Sequence, residues 1–164
     1  DYSDALAGIR RKVGVVYADP PYTRDHYSRF CHVLETMCIW DQPTLSTTRI
    51  RSAVERFSRG MYRDDRHQSP FCIKSQAPRA FERLFDSVQR LNAPLVLSYS
   101  PYAAESRARP RVMTVDEICS LARRFFPSVQ PVSAGRLSHM KLNTSRLNVE
   151  SSAEAELLII CKKH

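Results

Sequence analysis

"VVYADPPYTRDHYSRF", residues 15–30, sets a β-type apolar run against Asp19-Pro20-Pro21-Tyr22 and then an aromatic-rich segment with helical spacing. Proline has no amide hydrogen to donate and cannot continue a sheet ladder, so a strand over 13–18 must leave its sheet at Asp19 in a stiff, extended loop. In open α/β sheets, ligands bind beyond the carboxyl ends of the strands. The tetrapeptide is therefore a candidate site.

Working outward, apolar residues at Tyr27, Phe30, Cys31, Leu34, Met37 and Cys38 mark one face of a helix, which predicts burial of that face. "WDQPTLSTT" ends it, and Ile50, Val54 and Phe57 predict a further helix within 48–59. Residues 60–76 are polar and irregular. Pro78 suits a first helical turn, and Phe81, Leu84, Phe85, Val88 and Leu91 predict a helix to about Leu91. "PLVLSYS" (94–100) reads as a second buried strand. Thr114 with Glu117 is a capping-box pattern that opens a helix through about Phe126. "SVQPVSA" (128–134) is a weak strand that Pro131 confines to an edge or a bulge, and "EAELLIIC" (154–161) is a strong final strand. Strands alternating with helices predict an α/β fold with parallel pairing. The last connection, without helical periodicity, predicts an antiparallel return.

The chain has 164 residues, 43% of them hydrophobic, with no long polar tract, which fits one domain spanning residues 1–164. No apolar run approaches the roughly 20 residues needed to span a bilayer, and "DYSDALAGIRRK" has no signal-peptide core, so the expectation is a soluble, cytoplasmic protein. Five scattered cysteines without a C-x-x-C pair predict buried free thiols rather than disulfides or zinc ligands. A net charge of +8, mostly from arginine, fits a polyanionic partner or a solubilising surface and does not distinguish DNA from RNA.

Asp19-Pro20-Pro21-Tyr22 after a strand resembles the catalytic motif of adenine-specific DNA methyltransferases of the Dam-like group, and "YADPPYTRDHYSRFCHVLETM" resembles a bacterial branch of such proteins. The likeness extends along the chain: "PLVLSYS" is similar to the strand that follows the catalytic one, and "RLSHMKLNTSRLNVESSAEAELLIIC" to a terminal hairpin and antiparallel strand. The resemblance implies the second half of a Rossmann-like, S-adenosylmethionine-dependent methyltransferase sheet, acting on the exocyclic amine of adenine in DNA and set in restriction-modification or defence. In that reading Asp19 accepts one amine hydrogen and the Pro20 carbonyl the other, Pro21 stiffens the loop, and Tyr22 stacks on a base flipped out of the duplex. Asp19 and Ser98 would also face the methyl donor, while Arg136, His139, Lys141 and Arg146 would grip DNA phosphates.

Other readings stay open at each position. Asp19 could cap a helix, Tyr22 could be a core aromatic, and Ser98 and Ser100 could be ordinary strand-end polar residues. His32 and Glu35 could touch the site or pair with each other, and the basic hairpin could be a solvated loop, with Arg63, Arg66 and Lys74 as weaker phosphate candidates. An RNA or protein methyltransferase, or a non-catalytic DNA-binding subunit, would carry the same tetrapeptide. The resemblance also exposes a gap. The four glycines, Gly8, Gly14, Gly60 and Gly135, form no Gly-x-Gly turn of the kind that cradles S-adenosylmethionine in such enzymes. The motif lies close to the first residue, an Asp, so the expectation is a catalytic half whose glycine-rich half is a second polypeptide or a missing segment.

Overall fold

In chain order the computed structural model contains helix α1 (Tyr2–Ala7), strand β1 (Val16–Ala18), helices α2 (Tyr27–Phe30) and α3 (His32–Ile39), strands β2 (Thr47–Arg49) and β3 (Glu55–Phe57), helix α4 (Ala77–Arg90), strand β4 (Leu95–Tyr99), helix α5 (Val115–Ala122), and strands β5 (Ser128–Ser133) and β6 (Leu157–Lys162). A short 3-10 turn at Pro70–Cys72 leads towards α4. The structure describes residues 2–23, 27–49, 55–100, 111–133 and 156–163. They fall into two compact units: Asp1–Arg24 with Pro70–His164, and Asp25–Ser69.

The first unit is built on a four-stranded mixed sheet of order β1-β4-β6-β5. β1 pairs with β4 in parallel, Ala18 opposite Leu97, and β6 returns antiparallel between β4 and β5. Successive side chains of a strand face opposite sides. Leu95, Leu97 and Tyr99 accordingly join the core with Phe81, Phe85, Ile118 and Phe126, which leaves Val96 and Ser98 on the other face. Pro131 lies in β5, on the edge of the sheet, where a missing amide hydrogen costs no ladder bond. β1 forms the opposite edge among the described strands, and Val15 just before it and Tyr17 within it are exposed.

Two different devices hold the helices. No side chain caps Gln76 at the start of α4, but that helix buries Ala77, Ala80, Phe81, Leu84, Phe85 and Val88. Burying a large apolar side chain is worth about 1.5–3 kcal/mol, against about 1 kcal/mol for a cap, so packing decides α4. The shorter α5 has both bonds of the capping box, with Thr114 Oγ1 accepting from the Glu117 amide at 3.2 Å and Glu117 Oε2 accepting from the Thr114 amide at 2.7 Å.

The second unit departs from the sequence expectations. Within the span 48–59 expected as a helix, the described residues include strands instead: Thr47–Arg49 pairs antiparallel with Glu55–Phe57, Thr47 opposite Phe57 and Arg49 opposite Glu55. The β-branched Thr47 and Thr48 favour extended backbone, and three apolar positions were too few to establish a helical period. Ile50 and Val54 lie outside the described residues. The helix expected from Tyr27 is broken at Cys31, and its apolar stripe is exposed: Tyr27, Phe30, Leu34 and Met37 are each more than 60% accessible. Periodicity identifies the face that gains from burial but does not supply a covering surface. Cys31 and Cys38 share that exposure, contrary to the expectation of buried thiols, while Cys72, Cys119 and Cys161 are buried, and none of the five is in a disulfide. Burial pushes the Cys161 thiol up to about 12.

Arg63 is the anchor of this unit. It is 3% exposed, and its guanidinium forms a forked pair with Asp41 at 2.6 and 2.7 Å and a second pair with Asp65 at 3.0 and 2.9 Å. It also donates to Thr36 Oγ1 at 3.2 Å. These bonds hold the Asp41 and Asp65 carboxyls below the usual carboxylate range. A guanidinium so committed is not a surface phosphate contact, which corrects the expectation of Arg63 as a weaker phosphate candidate. His32 packs its ring against Tyr62, with centroids 5.2 Å apart, and the Arg66 guanidinium lies 5.1 Å over the same tyrosine.

Candidate active site

The site lies in the first unit, where β1 and β4 end side by side and β6 begins. Continuing the parallel register past Ala18–Leu97 sets Asp19 alongside Ser98, and continuing the antiparallel register past Tyr99–Leu157 sets Glu156 alongside Ser100. Asp19 is exposed, Pro20 is buried, and Pro21 and Tyr22 are half-buried, so the loop presents its carboxylate while its first proline is packed away. Partial removal of solvent raises the Asp19 pKa above the ordinary value, and the negative charge of Glu156 raises it further.

Tyr22 sits in a built environment. Its carbonyl accepts from the Val112 amide at 3.2 Å, and Thr23 and Arg111 form an antiparallel bridge, so residues 22–23 and 111–112 run alongside each other. The Arg111 guanidinium lies 4.6 Å over the Tyr22 ring, and Tyr99 meets that ring in an edge-to-face contact at 5.5 Å. Arg111 is in turn anchored to the exit of β4: Nε donates to the Ser100 carbonyl at 3.1 Å and Nη2 to Ser100 Oγ at 2.5 Å. The Tyr99 hydroxyl donates to the Met113 carbonyl at 2.6 Å, which fixes the segment that carries Arg111.

Ser100 is fully buried within this network, so strand-end polarity alone does not describe it. Ser98 is 1% exposed, and among the described residues its Oγ has no hydrogen-bond partner. A buried hydroxyl without a partner is uncommon and calls for an explanation such as a bound polar group. Arg136, His139, Lys141 and Arg146 lie outside the described residues. Arg111 and Glu156 went unrecognised in the sequence. Arg111 is one of several arginines before the Thr114 cap, and Glu156 directly precedes a strand; neither position carries a local signal of what it faces.

The residues present fit S-adenosylmethionine only in part. Asp19 and the unpartnered Ser98 hydroxyl offer polar groups at the strand exits, but no described glycine forms a cradle. A Cβ on Gly14 would meet nothing within 4 Å, one on Gly8 would meet the backbone oxygens of Asp4 and Ala5 in its own turn, and Gly60 packs on Tyr62. Among the described residues no cluster of three or more metal-ligating side chains is present, and no helix is long and apolar enough to cross a membrane.

An α/β unit with a mixed four-stranded sheet and an acid-proline loop at a strand exit is compatible with a methyltransferase fold. The chain is 29% identical, over 151 residues, to a modification methylase, LlaI, of Lactococcus lactis subsp. lactis. The match takes in 92% of this chain and 21% of the relative, so the chain spans about a fifth of that protein's length. No protein-family model matches the chain. No solved structure matches it.

Proposed function

We propose that this chain is the catalytic segment of a DNA methyltransferase that modifies the exocyclic amine of adenine, with Rossmann-like topology and S-adenosylmethionine as the methyl donor. The observation that carries the reading is Asp19-Pro20-Pro21-Tyr22 at the exit of a parallel strand, beside the polar exit of β4, in a chain similar to a modification methylase. Adenine's amine is a weak nucleophile because its lone pair is delocalised into the ring. The Asp19 carboxylate, by accepting one amine hydrogen, favours a pyramidal nitrogen whose lone pair points away from the ring plane. The Pro20 carbonyl takes the second hydrogen. Because two prolines, the first of them buried, stiffen the loop that carries these acceptors, little reorganisation remains for the reaction step. When bound, the donor would supply an electrophilic methyl group. Tyr22 would stack on the flipped base, and Arg136, His139, Lys141 and Arg146 would contact phosphates of the DNA.

The donor's cradle, on this reading, lies outside these 164 residues. The edge that β1 forms among the described strands suits pairing with the strands that carry it. In the Lactococcus relative a segment like this one belongs to a longer polypeptide, so the cradle need not come from a separate subunit.

The test is Asp19→Ala in the complete methylase, assayed with radiolabelled donor on DNA, RNA and peptide. Methylation of DNA alone is expected, with a loss of at least roughly a hundredfold in the variant and DNA affinity nearly unchanged. Activity within about tenfold of wild type would remove Asp19 from the chemistry. Transfer to RNA or peptide would favour the rival substrates.

A further inference from the structure

The inference rests on the methyltransferase reading and adds a residue that nothing in the tetrapeptide itself specifies. We propose that Arg111 is a positioning residue that locks the Tyr22 ring in place by tying the exit loop of β1 to the exit of β4. Three observations converge on it. The guanidinium lies 4.6 Å over the Tyr22 ring, within reach of a cation–π contact. Two of its nitrogens are held by one residue, Ser100, through the carbonyl at 3.1 Å and the hydroxyl at 2.5 Å, and that residue is fully buried. The backbone on either side is tied too, by the Thr23–Arg111 bridge and the Val112 amide bonded to the Tyr22 carbonyl.

The planar guanidinium suits this task. Its fork satisfies Ser100 with Nε and Nη2 while the group lies over the Tyr22 ring; an ammonium can offer charge but not this combination. Tyr99 presses on the same ring edgewise, and its hydroxyl anchors Met113, two residues after Arg111. Tyr22 is therefore restrained by side chains from two other segments, neither adjacent to it in sequence. A ring held in advance loses little freedom when a base stacks on it, so the entropic cost of capture falls. Without the guanidinium, the ring would sample other rotamers and the target amine would be misplaced relative to Asp19.

The first experiment needs no turnover. Ring signals of a 13C-tyrosine-labelled chain are recorded for wild type, Arg111→Ala and Arg111→Lys, with those of Tyr22 identified by their loss in Tyr22→Phe. Displaced Tyr22 shifts in wild type, a move towards the position of solvated tyrosine in Arg111→Ala, where the Tyr99 edge contact remains, and an intermediate position in Arg111→Lys support the proposal. Identical Tyr22 signals in wild type and Arg111→Ala overturn it, whether or not the protein methylates DNA. Should Arg111→Ala fail to fold, Ser100→Ala removes one anchor and leaves the guanidinium. A smaller shift in the same direction supports the lock, and none overturns it.

The second experiment uses the complete methylase on DNA. Arg111→Ala should lower kcat roughly 10- to 100-fold while changing the KM for DNA less than about threefold, with partial recovery in Arg111→Lys. Full kcat in Arg111→Ala overturns the role. Stronger base capture in that variant, read from a fluorescent adenine analogue at the target position, also overturns it, because the guanidinium would then be occupying the base's place. If wild type transfers no methyl group to DNA, the methyltransferase reading fails, and the tyrosine signals still decide whether Arg111 positions Tyr22.

Discussion

Tyr99→Phe isolates one bond on which the site's back wall depends. The hydroxyl donates to the Met113 carbonyl at 2.6 Å and accepts from the Met113 amide at 3.4 Å, and Tyr99 is 1% exposed. The substitution keeps the ring and its edge contacts with Phe81 and Tyr22 but strands a buried carbonyl. Leaving one such group without its donor costs about 1–3 kcal/mol, and the other, longer bond adds little. A chain of this size should then melt about 2–4 °C lower per kcal/mol, with a lower urea midpoint and an unchanged denaturant slope. The pH dependence gives a second, independent reading. Burial pushes the Tyr99 pKa up to about 12, so the hydroxyl stays protonated in the folded chain while an unfolded tyrosine ionises near 10.0. Its contribution is complete below pH 10 and is lost as pH rises towards 12, because only the unfolded state releases the proton. That alkaline loss should be smaller in Tyr99→Phe, with the buried Cys161 thiol contributing equally to both proteins. A stability change under about 0.5 kcal/mol would show that the Met113 carbonyl finds another donor and that the bond does not hold the segment carrying Arg111.

Glu156→Gln should lower the Asp19 pKa and move the acid limb of the kcat/KM profile to lower pH, because in the proposed mechanism activity needs an ionised Asp19 and is lost as pH falls through its pKa. The shift should be partial, since loss of solvent is the larger cause of the elevation; an unmoved limb would show that Asp19 does not feel Glu156. Arg63→Ala should speed hydrogen exchange of the β2 and β3 amides and flatten the acid dependence of their protection. Asp41 and Asp65 have depressed pKa values chiefly through Arg63's bonds, with backbone hydrogen bonds adding a smaller part, so most of the stabilisation they provide near neutrality disappears as pH falls, and undiminished acid-sensitive protection in the variant would refute this. Lys141→Glu with Arg146→Glu should weaken DNA binding for all sequences and flatten its salt dependence, because phosphate contacts release counterions without reading bases; an unchanged salt slope would leave that segment as plain surface.

The sequence by itself determined the features that depend on neighbours within a turn or two. The apolar spacing from Phe81 to Val88 specifies the buried face of α4, Thr114 and Glu117 specify the start of α5, Pro131 demands an edge, and two prolines after Ala18 force the chain out of its sheet. Tertiary structure decided which distant segments meet. β6 inserts between β4 and β5, bringing Glu156 to the same end of the sheet as Asp19, and Arg111 reaches Tyr22 and Ser100 across 89 and 11 residues of chain. It also decided that the stripe from Tyr27 to Met37 stays exposed and that Arg63 turns inward to Asp41 and Asp65. A periodic pattern records what a segment gains from burial or pairing, whereas the partner is chosen by strand order and register, and these belong to the folded chain as a whole.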